Sequence, residues 1–549
     1  MNPSAPPAGR HGPLRWPLVL AAVLALAVLA RLPALQLVPH LTDETGEVLY
    51  ARAILAEGQR PLVHTDAYNG AFWAYLMAGW LHLMPDDVAA PRLLSLALGL
   101  ATVLAALALA AALAPPPRRL MAALLGGSLM ATAFTPSLVN SRVAWSNSST
   151  PLWCALCALL LLRAVRREAG DMEAPLSWLG VGLLGGLALQ SHPSAIVFLV
   201  GLALWLLMGG GRWRWLGRAG PWLALLAALV AYAPVIVYNL RDGLKTLEEA
   251  RSSTNWAAGQ AGGAAVLAAG QQLGRAIVGG FGPEGQAATG LPARLMAGLW
   301  AGAYLLAALW LAWAPGAGAI DDGNDSQASS GAPPGRGLPL ALLLAAALGL
   351  PAFNRNWAGF LEARYLGFLL PFLSAAMGVW LARLLIPEDG GRAGIDHGAL
   401  RRRAALPTLA AALLIALPLV MGWLQVRGAM DLQRDNRRLL AMLEQARAAQ
   451  ARGAALWVDR ELKPVRWPAG GHPRRAVEYL LTMAGLPFEE LPPDTLNHRL
   501  AEKPKPAPLL FLSGDTAKSL GEWGRGLEPL DTQPRPGEEP WGLWTAAEP

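Results

Sequence analysis

The sequence predicts a mainly α fold, a polytopic bundle of membrane helices followed by a soluble α/β domain, and three observations predict it. Of 549 residues, 54% are hydrophobic and only 15% charged, against roughly 25% charged in a soluble globular chain. The apolar residues gather in runs near the roughly twenty that a bilayer crossing requires. Between the runs, Lys and Arg collect in alternate loops, the mark of a defined orientation across a membrane. The same composition excludes a water-soluble enzyme of this size and a disordered chain. Two cysteines cannot build a disulfide framework. The net charge of +7 is therefore read for topology, not for nucleic acid.

The first apolar run, 16–30, follows His11 and Arg15 and lacks a small-residue cleavage site after it, so it reads as an uncleaved span starting in the cytoplasm. The first outer loop, about 31–90, then holds Asp43, Glu44, Glu47, Glu57 and Asp66. Within it, 71–84 is apolar but too short to cross, and reads as an interfacial helix. Run 91–113 descends to Arg118 and Arg119, 120–138 rises to the 140–150 loop, and 151–162 descends to Arg163, Arg166 and Arg167. The pair 176–190 and 193–208 turns outside at His192 and ends inside at Arg212, Arg214 and Arg218. Run 221–238 rises to a large outer loop, 239–290, and 291–313 descends to a Gly/Ser/Asp-rich cytoplasmic linker, 316–337. Run 338–353 rises, 365–386 descends to Arg401, Arg402 and Arg403, and 407–426 rises again. About eleven spans result, with the tail outside. Had 71–84 crossed, the Arg118, Arg163 and Arg212 loops would all lie outside, against the positive-inside rule.

The chain thus divides into a membrane domain, 1–426, and a polar C-terminal domain, 427–549. The latter carries a helical pattern over 434–452 and strand signals at 455–458 and 509–512.

Charge is nearly absent from the spans, whereas ion or proton paths usually place charge there. Polar residues converge instead on the outer side: Asp43, Glu44, Asn69, Arg92, Arg142, His192, Asn239, Glu362, Arg364 and Tyr365. Each also has a plainer reading. The two acids fit a solvated loop, and the arginines fit snorkelling at the interface. His192 fits a turn, Asn239 a helix cap, and Tyr365 an aromatic belt. Cys154 and Cys157 have metal-like spacing, but they stand in an apolar span without a second pair, so no metal site is expected.

The stretch Thr42-Asp43-Glu44-Thr45-Gly46-Glu47-Val48-Leu49-Tyr50-Ala51-Arg52 with Glu57-Gly58 resembles the Asp-Glu first loop of the type C glycosyltransferases, in particular bacterial relatives of the protein O-mannosyltransferases and the lipid A aminoarabinose transferase. Ala67-Tyr68-Asn69-Gly70, Arg142-Val143-Ala144-Trp145, Ser191-His192-Pro193-Ser194, Pro234 through Asn239, and Arg364-Tyr365 with Pro371 follow in the family's order. The resemblance implies inverting transfer of a sugar from a polyprenyl-phosphate donor to an acceptor hydroxyl. It implies Asp43 as the base and Glu44 as its neighbour in substrate binding. Arg142, Arg364 and Arg92 become candidates for the lipid phosphate, since a guanidinium fork matches phosphate oxygens. Tyr68, Asn69, His192, Asn239, Glu362 and Tyr365 become candidate substrate contacts. Two departures point to a different donor or acceptor. The aminoarabinose transferases carry an Arg where Gly46 stands, and a Glu-Lys pair where Asn69-Gly70 stands.

The expected partners are that donor, a lipid, polysaccharide or protein acceptor, and membrane lipids, with no nucleic acid. No cofactor is expected, and a divalent metal is left open. An Ala/Leu/Arg/Pro-heavy composition suggests a bacterial inner membrane, with the active site and C-terminal domain on its outer side. The competing classes are a lipid-linked sugar flippase or other transporter, and a membrane scaffold; neither paired half-repeats nor polar groups at mid-span favour the first.

Overall fold

The computed structural model describes residues 15–33, 35–36, 40, 43–84, 86–133, 140–169, 174–208, 215–253, 273–274, 277, 291–313, 335–353, 363–386, 397–428, 430–462, 473–502, 504–513, 516, 520, 527–531 and 541–546. Glu362 and nearly all of the expected linker at 316–337 lie outside them.

Helix α1 (Arg15–Arg31) leads into the first loop, where α2 (Glu44–Glu57) buries Glu44, Glu47, Val48 and Ala51, one face at helical spacing. Gly58, with φ 67°, ends it in the left-handed region that glycine adopts without strain. Helix α3 (Phe72–Leu83) has 12 residues, a length of about 18 Å against a hydrocarbon core of about 30 Å.

The bundle continues through α4 (Ala90–Leu113), α5 (Arg119–Thr132), α6 (Thr150–Ala169), α7 (Pro175–Ser191), α8 (Ala195–Met208) and α9 (Ala219–Asp242). Helix α10 (Lys245–Ser253) follows, and most of the rest of the loop expected over 239–290 lies outside the described residues. After it come α11 (Leu291–Trp313), α12 (Leu338–Phe353), a 3₁₀ segment (Ala363–Leu369), α13 (Leu370–Leu385) and α14 (His397–Gly428). Among the described residues, four helical stretches are long and apolar enough to cross a membrane: Ala90–Leu113, Ser146–Glu168, Ala219–Asp242 and Leu366–Leu385. Other apolar helices are shorter. The run expected over 120–138 is helical only to Thr132, and 134–139 lie outside the described residues. The run expected from 407 is part of a helix that starts at His397 and contains Pro407 and Pro418.

Small residues let these helices approach closely. On α7, a Cβ at Gly182 would overlap the Ala224 carbonyl of α9, and one at Gly186 would overlap the Ala228 carbonyl a turn further on. The opposite face of α9 exposes Trp222, Leu225, Leu226, Leu229 and Val230. Such a stripe is unfavourable in water and is the natural boundary with lipid.

Helix α15 (Met430–Ala451) leads into an α/β unit made of β1 (Leu456–Asp459), α16 (Pro473–Met483), β2 (Glu489–Leu491), α17 (Pro493–Ala501), β3 (Leu509–Ser513), β4 (Leu527–Asp531) and β5 (Trp541–Ala546). The strand order is β2-β1-β3-β5-β4. Strands β2, β1 and β3 are parallel, joined by the crossover helices α16 and α17, and β5 and β4 are antiparallel. The two-residue period of β3 sorts its side chains between two cores. Leu509 and Phe511 join Leu443 of α15 and Leu480 of α16, whereas Leu510 and Leu512 join Leu496 and Leu500 of α17. The first of these cores also takes in Val48 and Ala51 of α2 and Trp73 and Met77 of α3. The C-terminal unit therefore packs on the first loop.

Candidate active site

The Asp-Glu pair at the start of α2 divides into two unlike environments. Glu44 is fully buried. Arg92 Nε donates to both of its oxygens, at 3.0 and 3.2 Å, and Arg92 Nη2 lies 2.9 Å from Oε1. Ala144 N–H donates to Oε2 at 2.8 Å, and His40 Nδ1 lies 2.7 Å from Oε1. Because an ionised carboxylate only accepts, His40 is the donor of that bond. Burial alone would raise the Glu44 carboxyl, but the Arg92 charge and the His40 bond outweigh it and hold it at about 2. His40 itself is pushed down to about 4 by burial and by Arg92, and its Nε2 lies 2.8 Å from Gln36 Oε1.

Asp43 is exposed. It sits one residue before α2, and its carbonyl accepts the Glu47 N–H at 3.1 Å. Residues three and four positions apart share a helix face, so Gly46 and Glu47 are its neighbours. Glu47 was not singled out from sequence, yet it is buried. Ser146 N–H donates to Glu47 Oε2 at 2.6 Å and Ser146 Oγ to Oε1 at 3.3 Å, while His64 Nε2 lies 3.8 Å away. Burial raises the Glu47 carboxyl well above the ordinary range, and the charges of Asp43 and Asp66 add to this against the Ser146 bonds. Burial lowers His64 to about 4. The legible signal was positional: Glu44 and Glu47 occupy the face that also carries Val48 and Ala51, where an acid needs a partner.

Arg92 and Arg142, candidates for the lipid phosphate, both bond groups inside the protein. Arg92 is fully buried; besides Glu44, its Nη1 donates to the Leu35 carbonyl at 3.3 Å and to Gln36 Oε1 at 3.2 Å. Arg142, also buried, donates from Nη2 to the carbonyls of Ala30 (3.0 Å) and Pro33 (2.8 Å) at the end of α1, a favourable place for a cation. Burial first, then the Arg92 charge, lower it to about 10, so it stays protonated. Snorkelling fails, because both forks are buried. Arg364 and Tyr365 stand on the 3₁₀ segment 363–369, and their side chains are not among those described.

A second group gathers around the turn at 64–69. Asn69 is buried; its N–H donates to the Asp66 carbonyl at 2.9 Å and its carbonyl accepts the His64 N–H at 2.9 Å. Tyr68 Oη donates to Asp66 Oδ2 at 3.2 Å. The turn is clasped by α10: Ala67 N–H donates to Glu249 Oε2 at 2.6 Å, and Thr246 Oγ1 donates to the Ala67 carbonyl at 2.8 Å. Asn239 sets that clasp, donating to Val235 O and to Thr246 Oγ1, both at 2.7 Å, and accepting Thr246 N–H at 3.1 Å. It behaves as a cap, the plainer of its two readings. His192 follows the end of α7. Its Nδ1 accepts Ser194 N–H at 3.2 Å and lies 2.9 Å from Ser194 Oγ, as in a turn. Nearby, Gly70 N–H donates to the Gln190 carbonyl at 2.9 Å, and Phe72 N–H donates to Gln190 Oε1 at 3.2 Å, which ties α3 to the end of α7. Among the described residues, no group of three His, Cys, Asp or Glu is placed to hold a metal ion.

Part of the membrane domain matches a family model, and the fold as a whole is shared with solved structures. Residues 69–238 match the model of the dolichyl-phosphate-mannose-protein mannosyltransferase family. The segment reaches from the approach to α3 to the end of α9. The structure is similar to ArnT from Cupriavidus metallidurans bound to undecaprenyl phosphate, with a TM-score of 0.58, 14% identity, and coverage of 98% of this chain and 100% of that one. Its apo form matches with a TM-score of 0.53, 14% identity, and coverage of 97% and 99%. An oligosaccharyltransferase from Archaeoglobus fulgidus tethered with an acceptor peptide is more distant, with a TM-score of 0.48, 13% identity, and coverage of 92% and 70%. No curated protein matches the sequence.

Proposed function

We propose that the chain moves a sugar from a polyprenyl-phosphate-linked donor to an acceptor hydroxyl at the outer face of a bacterial inner membrane, with inversion and with Asp43 as general base. The reading includes about eleven spans, a membrane domain over 1–426 and an outer-side domain over 427–549. The observation that carries it is the division of the Asp-Glu pair. Glu44 has its lone pairs taken up by Arg92, His40 and Ala144, whereas Asp43 is exposed at the start of the same helix. Of the two, Asp43 alone is exposed to the aqueous side from which an acceptor hydroxyl arrives. In this reading Glu44 is a positioning residue. It joins α2 to α4 through Arg92 and to the 140–150 segment through Ala144, and so holds Asp43 in place.

Inverting displacement needs a carboxylate that takes the hydroxyl proton as the acceptor oxygen attacks the anomeric carbon, and cations that stabilise the departing phosphate. With Arg92 and Arg142 engaged inside the protein, Arg364 is the phosphate ligand this reading retains from the family's order. The similarity to a structure holding undecaprenyl phosphate supports a lipid-linked donor. Asp43→Asn keeps size and removes basicity, so turnover of a polyprenyl-phosphate sugar by the purified protein should fall about 10²- to 10⁴-fold. Full turnover in a folded Asp43→Asn protein would sink the assignment.

A further inference from the structure

The C-terminal unit brings a guanidinium to the candidate active site from outside the membrane domain. Gly46 lies on the face of α2 that follows Asp43 by three positions, and a Cβ built there would meet Arg475 Nη1 at 3.5 Å. Arg475, in the first turn of α16, is exposed, and among the described residues it has neither a hydrogen bond nor an ion pair. It borders a cavity of about 420 Å³ lined by Arg460, Glu461, Leu462, Arg474, Arg475 and Glu478. Arg474 is already engaged, donating from Nε and Nη2 to Glu490 at 3.1 and 2.6 Å. Arg460 and Arg475 are the cations of that lining without such a partner among the described residues. The unit is seated firmly enough to present them, because one helical turn after Arg475 the buried Tyr479 donates to the Val88 carbonyl at 3.0 Å and stacks on His40 at 5.0 Å.

We propose that Arg475 and Arg460 form a binding site for an oxyanion on the acceptor, held by the C-terminal unit beside Asp43. The inference rests on the sugar-transfer reading and adds a substrate class to it: an acceptor bearing a phosphate or carboxylate near the hydroxyl that receives the sugar. The lining decides between acceptor and donor. It holds one apolar residue, Leu462, and its Arg460, Glu461 and Arg475 are open to water. A polyprenyl chain has no apolar slot there, whereas an anionic group approaching from the aqueous side meets two guanidinium forks, with Glu461 and Glu478 as the acids of the same lining and Arg475 acting on Glu478. The lack of a side chain at Gly46 lets the Arg475 guanidinium come close to α2.

The test uses the full-length protein in lipid nanodiscs, with undecaprenyl phosphate added to saturation and inorganic pyrophosphate titrated as the probe. One site should appear in the wild type and weaken about 10- to 100-fold in Arg460→Gln/Arg475→Gln, the scale of lost charge-assisted hydrogen bonds. Adding Gly46→Arg to Arg475→Gln returns a guanidinium to the same space from the α2 side and should recover part of the affinity. Asp43→Asn, which removes a negative charge beside the site, should not weaken it. Equal pyrophosphate affinity in wild type and double variant, or no binding in either, overturns the site. Weaker binding of undecaprenyl phosphate itself in the double variant assigns the arginines to the donor and overturns the acceptor reading. Failure of the transfer reading shows separately, as unaltered turnover in Asp43→Asn.

Discussion

Two glutamates three positions apart on α2 are shifted in opposite directions, and this sets the pH behaviour of the first loop. Glu44 is depressed to about 2 by Arg92 and His40 against its own burial. Its contribution is present above the ordinary value of 4.5 and is lost as pH falls through about 2. Glu47 is raised by burial and by the charges of Asp43 and Asp66, so its contribution is complete below 4.5 and is lost as pH rises toward its folded value. Thermal melts of the detergent-purified protein should therefore show stability falling as pH rises above 4.5, and Glu47→Gln, an isostere of the protonated form, should flatten that decline. A decline of unchanged slope would show that Glu47 is ionised in the fold. Arg92→Ala leaves Glu44 buried without its cation and should cost about 3–5 kcal/mol. The folded remainder should bind donor normally, a result that a phosphate ligand at this position could not give. The unlike environments of Asp43 and Glu44 were not legible in the sequence, because Glu44 finds its cation 48 positions away. Glu47 was readable only as an acid on an otherwise buried helical face.

At the scale of elements, hydropathy found the helices, and the errors lie where hydropathy is silent. Helix α14 begins in the basic segment at His397, ahead of its apolar part, and α5 ends at Thr132 among the described residues. Both boundaries depend on tertiary packing and backbone bonding that composition does not record. The strand signals at 455–458 and 509–512 met β1 and β3 almost residue for residue, because short β-rich runs buried on both faces are bounded by turns. The short helix α3 decides the orientation of everything after it. If it lies in the interface, the first loop and the Pro116–Arg118 turn are on opposite sides. Cys154 and Cys157 are buried, so single cysteines can be added to the wild-type chain with little background labelling. Residues 59, 117 and 119 are exposed. A membrane-impermeant maleimide applied from outside should label Gln59→Cys and miss Pro117→Cys and Arg119→Cys until the membrane is opened. Labelling of both sets from one side would put α3 across the membrane.

For the whole molecule, the consequential contact is the one between the C-terminal unit and the first loop. Tyr479 is fully buried there, its ring against His40 and its hydroxyl on Val88, and burial raises the phenol far above its usual range so that it stays a donor. His40 in turn bonds Glu44, which fixes the start of α2 and the backbone of Asp43. The chain of contacts therefore runs from a helix of the polar tail to the proposed base, and a change at Tyr479 should act at a distance. Tyr479→Phe keeps the packing and loses one hydrogen bond, worth about 0.5–1.5 kcal/mol, so turnover should stay near that of the wild type. Tyr479→Ala removes a buried ring, a loss of about 3–5 kcal/mol. That is enough to loosen a docked unit whose remaining shared core includes Val48, Ala51, Trp73, Met77 and Leu81 against α15 and α16. Limited proteolysis should then cut near 429 faster in Tyr479→Ala than in Tyr479→Phe, with turnover falling in parallel. If turnover fell while the junction stayed as protected as in the wild type, Tyr479 would act on the site directly and not by holding the unit in place.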